Sequence, residues 1–509
     1  MNVSDRMVEI LAEEGIEHVF GIPGEQIMPL YKSLSESQIT HILTRHEQAA
    51  AHAADAYVRS SGKIGVCITT AAPGAYNTAM ALATAFKDNV PILVLTGDND
   101  LEYRGKDRFQ SLPVFDTFKH ITRASYNPLN GTEAIYALKA AIYELKTMPK
   151  GPIHINLSKD VLSSEDFQDF DLCYLCEDDM SQIGDAQKLI DSSEKPLFIL
   201  GAGALGQKDE LAEIAHKYQI PVTTTFHAKG IISELDDLNL GLSGIRSTPR
   251  GKYALENSDC IIALGIKGSE RTLPEIPDNL IHVNLNKDVL VGDCQIHGKV
   301  EDFLGQIRFK KVNWLDEILQ IDDTVHIDGL DDDLAPQAAI KRILEKFGDD
   351  IIVSDAGSHT TWTTLMMKSK RPGQYLFPGA MAPMGYSLPG AIGASLATGE
   401  QVISINGDGG IQMNIQELAT LKANDLDVIV FIINNSEFGI IRQWEEQNYD
   451  MKPYQVKLEN PDFVKLASSY LIDGVRVDNL ADLEYLLESD LRGPLVVEVV
   501  VRSEDIPLP

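Results

Sequence analysis

The stretch ISINGDGGIQMNIQELATLKANDLDVIVFIINNSEFG, residues 403–439, decides the fold. One β-branched run ends at Gly407-Asp408-Gly409 and a second ends at Asn434-Asn435. The 24 residues between Gly409 and Asn434, 410–433, leave room for one helix and a returning strand. In a parallel sheet both strands finish at the same carboxyl edge, where open α/β sheets bind ligands. Asp408 and Asn435 therefore converge. A carboxylate and an amide oxygen are hard ligands that suit Mg²⁺, which keeps some waters and takes further oxygens from a phosphate. Gly409 and Gly410 let backbone N–H groups approach that phosphate at a helix start. Either motif alone reads as a turn or a strand terminus. Together, at this separation, they read as a metal and phosphate site.

Outward from this stretch, short β-branched runs alternate with longer helical patterns, which argues for βα units around parallel sheets covered on both faces, an α/β class. Buried-strand candidates lie at 64–69, 92–96 and 153–157, then at KPLFIL, 220–225, 260–264 and 281–285, and finally at 351–354, 402–405, 428–433 and 495–500. Two acidic stretches without periodicity, SSEDFQDFDLCYLCEDDMSQ and QIDDTVHIDGLDDDLAP, read as linkers. The predicted organisation is three doubly wound domains, 1–165, 186–312 and 335–509. Gly151-Pro152 and Gly493-Pro494 each precede a late apolar strand, an echo that hints at a shared fold for the first and third.

Composition narrows the function classes. The 509 residues are 44% hydrophobic and 23% charged, which excludes a disordered or fibrous chain. Lys plus Arg is 44 and Asp plus Glu is 75, so 44 − 75 gives a formal charge of −31. Nucleic acid and anionic membrane partners are disfavoured by that sign. No apolar run approaches the roughly 18–20 residues that cross a bilayer, and the start, MNVSDRMVEILAEEG, reads as an acidic amphipathic helix without a signal-peptide core. Cys67, Cys173, Cys176, Cys260 and Cys294 are too scattered for a disulfide framework, so a reducing cytoplasm is the expected location.

Other segments carry weaker signals. In VSDAGSHTTW, Gly357, Ser358 and His359 open a helix with free N–H donors, as an ordinary βα turn would also do. GAMAPMGYSLPGAIGAS sets Met384 among small residues, either as core or as an apolar wedge under a ligand. ILTRHEQAAAHAADAY places Glu47 at the start of a small-residue helix, where an acid is also ordinary capping electrostatics. His46 and His52 read as structural, since no companion ligand stands at usable spacing. GIPGE and TTAAPGAYN are Gly-Pro loops suited to close backbone approach. Gly201, Gly203 and Gly206 spell G-x-G-x-x-G, but the next strand ends in Thr225 and Phe226 without a ribose-binding acid, which argues against nicotinamide dinucleotides. Cys173-x-x-Cys176 lacks the second pair that structural zinc needs.

Taken together, GDG, NN and RHEQ resemble the thiamine diphosphate enzymes, specifically the acetolactate (acetohydroxyacid) synthase large-subunit group. The resemblance runs end to end through FGIPGE, RHEQAAAHAADAY, TTAAPGAYN, FQS, NLSKDV, MGYSLPGAIGA, GDGG, NNSEFGIIRQW and NPDFVKLA. It implies that the first domain binds the aminopyrimidine, the third the diphosphate, and that the middle one is Rossmann-like and sometimes holds FAD. Glu47 matches the glutamate that hydrogen-bonds the aminopyrimidine and promotes its imino form, a role that demands a poorly solvated carboxyl group. Asp408 and Asn435 match the Mg²⁺ ligands, with the backbone carbonyl of Glu437 as the third protein oxygen. Gly357, Ser358, His359, Gly407, Gly409 and Gly410 match diphosphate contacts, Met384 the residue beneath the bent cofactor, and Gly24, Pro73, Asn77 and Ile441 further cofactor contacts. Gln110 and Lys159 stand beside Glu47 as catalytic candidates, and Phe109 and Trp444 as the acceptor pocket.

The activity so implied is decarboxylation of a 2-oxo acid, pyruvate first, followed by carboligation to a second 2-oxo acid. Protonation to an aldehyde, or transfer of an acetyl group, remains open as the alternative outcome. A nucleotide-binding protein without catalysis, centred on GAGALG, is the alternative from another class. The resemblance also implies a homodimer or homotetramer and leaves a regulatory subunit open. TTTFHAKG and GLSGIRSTPRG resemble the middle-domain segments and leave FAD open. Departures from the group's pattern are Glu25 where a small residue is common, Ala72 where Gly is usual, and Pro383 ahead of Met384. The last residue, Pro509, follows the final strand closely, an expected shortening of the tail that covers the site in typical synthases.

Overall fold

The computed structural model describes residues 1–147, 149–170, 178–324 and 326–507. Within them, helices flank three six-stranded sheets whose ladders run parallel. The first sheet holds β1 (His18–Gly21), β2 (Thr40–Leu43), β3 (Gly65–Thr69), β4 (Ile92–Asp98), β5 (Ala124–Tyr126) and β6 (Ile153–Ser158) in the order 2-1-3-4-6-5. The central one holds β7 (Pro196–Leu200), β8 (Val222–Thr224), β9 (Asn239–Leu242), β10 (Cys260–Leu264), β11 (Leu280–Asn284) and β12 (Cys294–His297). Its order, 12-11-10-7-8-9, is the one common to dinucleotide-binding folds. The third holds β13 (Ile351–Ser354), β14 (Tyr375–Leu376), β15 (Val402–Gly407), β16 (Val428–Asn434), β17 (Asp473–Val477) and β18 (Leu495–Val500), ordered 14-13-15-16-18-17.

Counted from its own first strand, the third sheet repeats the 2-1-3-4-6-5 order of the first. The two Gly-Pro pairs precede β6 and β18, which occupy equivalent places in that order. The interior strands β4, β7, β10, β13 and β16 are buried along nearly their whole length, because helices cover both faces, and this produces the continuous apolar runs visible in the sequence.

The chain forms two compact units. One contains the first and third sheets, and the other contains the central sheet together with Met367–Tyr375. Inside the first unit the helix Glu47–Ser61 lies against the helix Ser387–Thr398. Ala49, Ala50, Ala51, Ala53, Ala54 and Ala56 are all buried on the former. Their small size permits the close approach: a Cβ on Gly393 would stand 2.0 Å from the Ala53 carbonyl oxygen.

Inside the second unit GAGALG is a tight turn. Gly201 N–H donates to the Leu264 carbonyl at 2.9 Å and Gly203 N–H to the Gly265 carbonyl at 3.0 Å. Gly201 and Gly203 serve loop-on-loop packing against Gly265, so those two donors are already engaged. Cys67, Cys260 and Cys294 are buried free thiols, whereas Cys173 and Cys176 lie outside the described residues. No described helix is long and apolar enough to cross a membrane.

Candidate active site

In both outer sheets the order reverses at the first strand, whose two neighbours lead away in opposite directions, and the crevice outside such a point is the usual ligand place in α/β folds. In the first sheet the crevice is bounded by the segments that follow β1 and β3. These touch, since a Cβ on Gly24 would lie 2.4 Å from the Thr70 side chain. Pro73 sits in the first turn of the helix Ala72–Asn77, where its missing N–H costs nothing. That helix ends at Asn77, whose Nδ2 donates to Glu47 Oε2 at 2.9 Å. Gly74, on the same helix, faces the other oxygen, and a Cβ there would stand 3.1 Å from Glu47 Oε1.

Glu47 is the first residue of its helix, buried at 9% exposure. The helix dipole favours a negative charge at this position. His46 caps the same helix, its Nδ1 accepting from the Gln48 N–H at 3.1 Å. His52 is fully buried against Tyr386, and burial pushes its pKa down to about 3, so it is a neutral packing residue.

Lys159 begins the short helix after β6, and its Nζ lies 3.1 Å from Glu25 Oε1. The acid that departs from the family pattern is thus the lysine's ion-pair partner. Phe109 and Gln110 occupy an exposed turn. The Phe109 ring is 79% exposed, its carbonyl accepts from Asn99 Nδ2 at 3.2 Å, and Gln110 takes a positive φ of 60°.

In the third sheet the equivalent crevice lies beyond β13 and β15. His359 Nε2 lies 3.0 Å from Asp355 Oδ1, and the other oxygen of Asp355 accepts the Gly385 N–H at 2.8 Å. Gly385 has φ 85°, and a Cβ there would meet the Met413 Cβ at 2.5 Å. Asn414 Nδ2 donates to the Gly385 carbonyl at 2.8 Å. The residue after Met384 is therefore fastened through both its N–H and its carbonyl, which fixes the half-buried methionine. Gly357 and Gly407 border the His359 ring, and Gly410 borders the Asp355 carboxylate. Ser358 opens the helix Ser358–Met366, and its Oγ faces Gly439.

The register of β15 on β16 pairs Gly407 with Ile433, so Asp408 emerges level with Asn434. Asp408 is 2% exposed, and burial pushes its pKa up against the opposing hydrogen bond from Asn460. Asn460 Nδ2 reaches Asp408 Oδ2 at 2.6 Å and Asn434 Oδ1 at 3.0 Å. Asn435 Oδ1 accepts the Glu437 N–H at 3.2 Å. The bridge between Glu437 and Lys457 is made by the N–H groups of Phe438 and Leu458, so it leaves the Glu437 carbonyl unused. The Glu437 side chain turns to Arg442, 3.0 Å away, and to Ser503. Ile441 and Trp444 lie one turn apart on the helix Gly439–Gln447, 44% and 43% exposed.

A buried charge cluster ties these halves together within the chain. Tyr386 Oη donates to Asp55 Oδ1 at 2.7 Å, and Arg59 joins Asp55 at 2.5 Å and Asp88 at 2.8 Å. Asp88 also accepts the Ala380 N–H at 3.2 Å. Burial works against the Arg59 charge, but the two carboxylates outweigh it and hold its pKa well above the ordinary value.

The structure thus joins Glu47 with Asn77, Asp408 with Asn434 through Asn460, Asn435 with the Glu437 backbone, and His359 with the Met384 loop through Asp355. No described hydrogen bond joins Glu47 to Asp408, Asn435 or His359, and no described ring contact joins Phe109 to Trp444. Asp355, Asn414 and Asn460 are polar residues of the site that the sequence reading did not single out. Asp355 and Asn460 stood inside the segments VSDAGSHTTW and NPDFVKLA, where a buried polar residue at a strand exit or beside Pro461 was the only signal.

The donor chemistry near Asp408 fits a divalent cation. It offers one buried carboxylate, one amide oxygen and one unused carbonyl, a hard-oxygen set. Among the described residues no cluster of three or more His, Cys, Asp or Glu side chains is placed to hold a metal. Any cation here would therefore need amide, carbonyl and phosphate oxygens.

Comparison with known proteins agrees with this geometry. Models of thiamine pyrophosphate enzymes match the chain in three places: the N-terminal TPP binding domain at residues 1–119, the central domain at 183–307 and the C-terminal TPP binding domain at 355–499. The probable acetolactate synthase large subunit of Methanocaldococcus jannaschii is 34% identical, covering 100% of this chain and 93% of that protein. The probable acetolactate synthase large subunit of Methanococcus aeolicus is 33% identical over 96% and 90%. The acetolactate synthase large subunit of Lactococcus lactis is 33% identical over 99% and 93%. Matched by thiamine pyrophosphate models across all three sheets and by these relatives over nearly its full length, the chain belongs to the thiamine pyrophosphate enzyme family and is a thiamine diphosphate-dependent enzyme.

Proposed function

We propose that this enzyme decarboxylates a 2-oxo acid, pyruvate first, and joins the remaining two-carbon unit to a second 2-oxo acid, with Mg²⁺ anchoring the cofactor's diphosphate. The observation that carries the reading is the pair of equivalent sheet edges. One presents a single buried carboxylate aligned by Asn77, and the other presents hard oxygens and glycines around Asp408. The names of the relatives support carboligation as the outcome.

Thiamine diphosphate, when bound, supplies the carbon nucleophile and the electron sink that a 2-oxo acid needs to lose CO₂. Glu47 would hold or release a proton at the aminopyrimidine, and Asn77 fixes which carboxylate oxygen is presented. Asp408, Asn435 and the Glu437 carbonyl hold Mg²⁺. Gly357, Ser358, His359, Gly407, Gly409 and Gly410 border the diphosphate. Met384, Gly24, Pro73 and Ile441 would contact the cofactor. Phe109, Gln110, Lys159 and Trp444 surround the acceptor, with Lys159 drawing in its carboxylate in exchange for Glu25.

We assign no step to FAD, since the Gly201 and Gly203 donors of the central turn are bonded to the neighbouring strand exit. Domain limits of 1–165, 186–312 and 335–509, a cytoplasmic location and a homodimeric or homotetrameric state belong to the same reading. The "large subunit" names of the relatives favour a second, regulatory subunit.

Purified protein incubated with thiamine diphosphate, Mg²⁺ and pyruvate is expected to form acetolactate, and a chelator to stop it. Acetaldehyde alone would replace carboligation with simple decarboxylation, and no CO₂ release would overturn the reading. A visible absorption spectrum reports any bound flavin.

A further inference from the structure

Glu417 is fully buried, in the short turn Ile415–Glu417 that follows the Asp408 segment, far in sequence from Glu47. Its carboxylate accepts the Arg45 N–H, at 2.9 Å to Oε1 and 3.2 Å to Oε2. Thr420 Oγ1 lies 2.6 Å from Glu417 Oε2 and 3.3 Å from the Leu43 carbonyl. Leu43 and Arg45, in the turn 43–46 that leads into the Glu47 helix, are therefore gripped by the third-sheet half of the chain. The same stretch fastens the Met384 loop through Asn414 and carries Asp408 at its beginning. One short segment thus holds three of the places at which the cofactor is proposed to be bound.

The choice of a carboxylate is specific. A backbone N–H and a hydroxyl converge on one buried group, and a carboxylate accepts from both. A glutamine keeps one acceptor for the Arg45 N–H but sets its NH₂ against the Thr420 hydroxyl, which must then turn to the Leu43 carbonyl, so the contact is rearranged.

We infer that Glu417 is a positioning residue for Glu47: it sets the turn 43–46, and through it the direction of the Glu47 carboxyl. The inference rests on the reading of Glu47 as the aminopyrimidine's partner. Small misplacements of a proton-transferring group cost rate without abolishing ligand binding, because effective molarity falls steeply with geometry.

The test is the E417Q variant of the full-length enzyme. Exchange of the C2 proton of bound thiamine diphosphate, followed by NMR after acid quench, is expected to slow by about 10- to 100-fold while the cofactor's Kd holds. The E47Q/E417Q double variant is expected to exchange no more slowly than E47Q alone, since both act on one group. In the cofactor-free protein, amide hydrogen exchange of the peptide covering 43–48 should accelerate in E417Q. If E417Q does not fold, T420V carries the test, with the same signature at smaller size. An unchanged C2 exchange rate in a folded E417Q, or a double variant slowed by the product of the two single effects, overturns the inference. An unchanged rate in E47Q itself overturns the Glu47 reading instead.

Discussion

The first and third sheets share one strand order, and each has its candidate ligand edge where that order reverses, yet the two edges differ in chemistry. The first carries one buried carboxylate, Glu47, on an alanine-rich helix, with one amide from Asn77 as its polar partner. The third is crowded with polar groups: Asp355 with His359, and Asp408 with Asn434 and Asn460, each drawn into hydrogen bonds. Topology fixes where a ligand sits on such a sheet, and the side chains fix which part of it is wanted. A single carboxylate in apolar surroundings suits the movement of one proton, while converging hard oxygens and N–H groups suit a polyanion with its cation.

Removing the proton site separates the two edges most sharply. Glu47→Gln is expected to slow C2 proton exchange by about 10²–10⁴-fold with cofactor still bound, as measured by NMR. Equal loss of binding would show that the two edges do not divide the work. Asp408→Ala should do the converse, weakening Mg²⁺-dependent cofactor binding by more than about 100-fold in calorimetry. Asn460→Ala, which removes only the orienting hydrogen bond, should weaken it by about 10-fold or more.

The link between the edges is tested by Asp55→Ala. This leaves Arg59 and Tyr386 buried without their shared partner and should cost about 3–5 kcal/mol in denaturant unfolding. The last effect is on acid stability. Burial lowers the pKa of His52 and His154 to about 3, below the ordinary 6.5. Their contribution is complete above about 6.5 and lost as pH falls toward 3, because the unfolded chain binds the protons the folded one refuses. His154→Gln should flatten the pH dependence of the unfolding midpoint in that window by roughly 1.4 kcal/mol per pH unit at most.

The legibility of the fold followed burial. β4, β10 and β16 are covered on both faces and read as unbroken apolar runs. The edge strands β5 and β17 are short and partly exposed, and no periodicity marked them. In the site, Asp408, Asn435 and Glu47 were legible because each stands at a strand exit or helix start, where chain geometry alone brings it to an edge. Asn460 was not legible, since it reaches Asp408 from a loop 52 residues away.

By itself the sequence determined the α/β class and the residue types offered at each edge, because those follow from local periodicity and from motifs a few residues long; the repeat of one architecture in the first and third parts it only hinted at, through two Gly-Pro pairs. Only the tertiary structure decided which groups meet. The bond from Asn77 to Glu47, the Asp55–Arg59–Asp88–Tyr386 cluster and the grip of Glu417 on Arg45 span 30 to 372 positions of chain. Such contacts depend on how buried helices pack, and no local pattern encodes that.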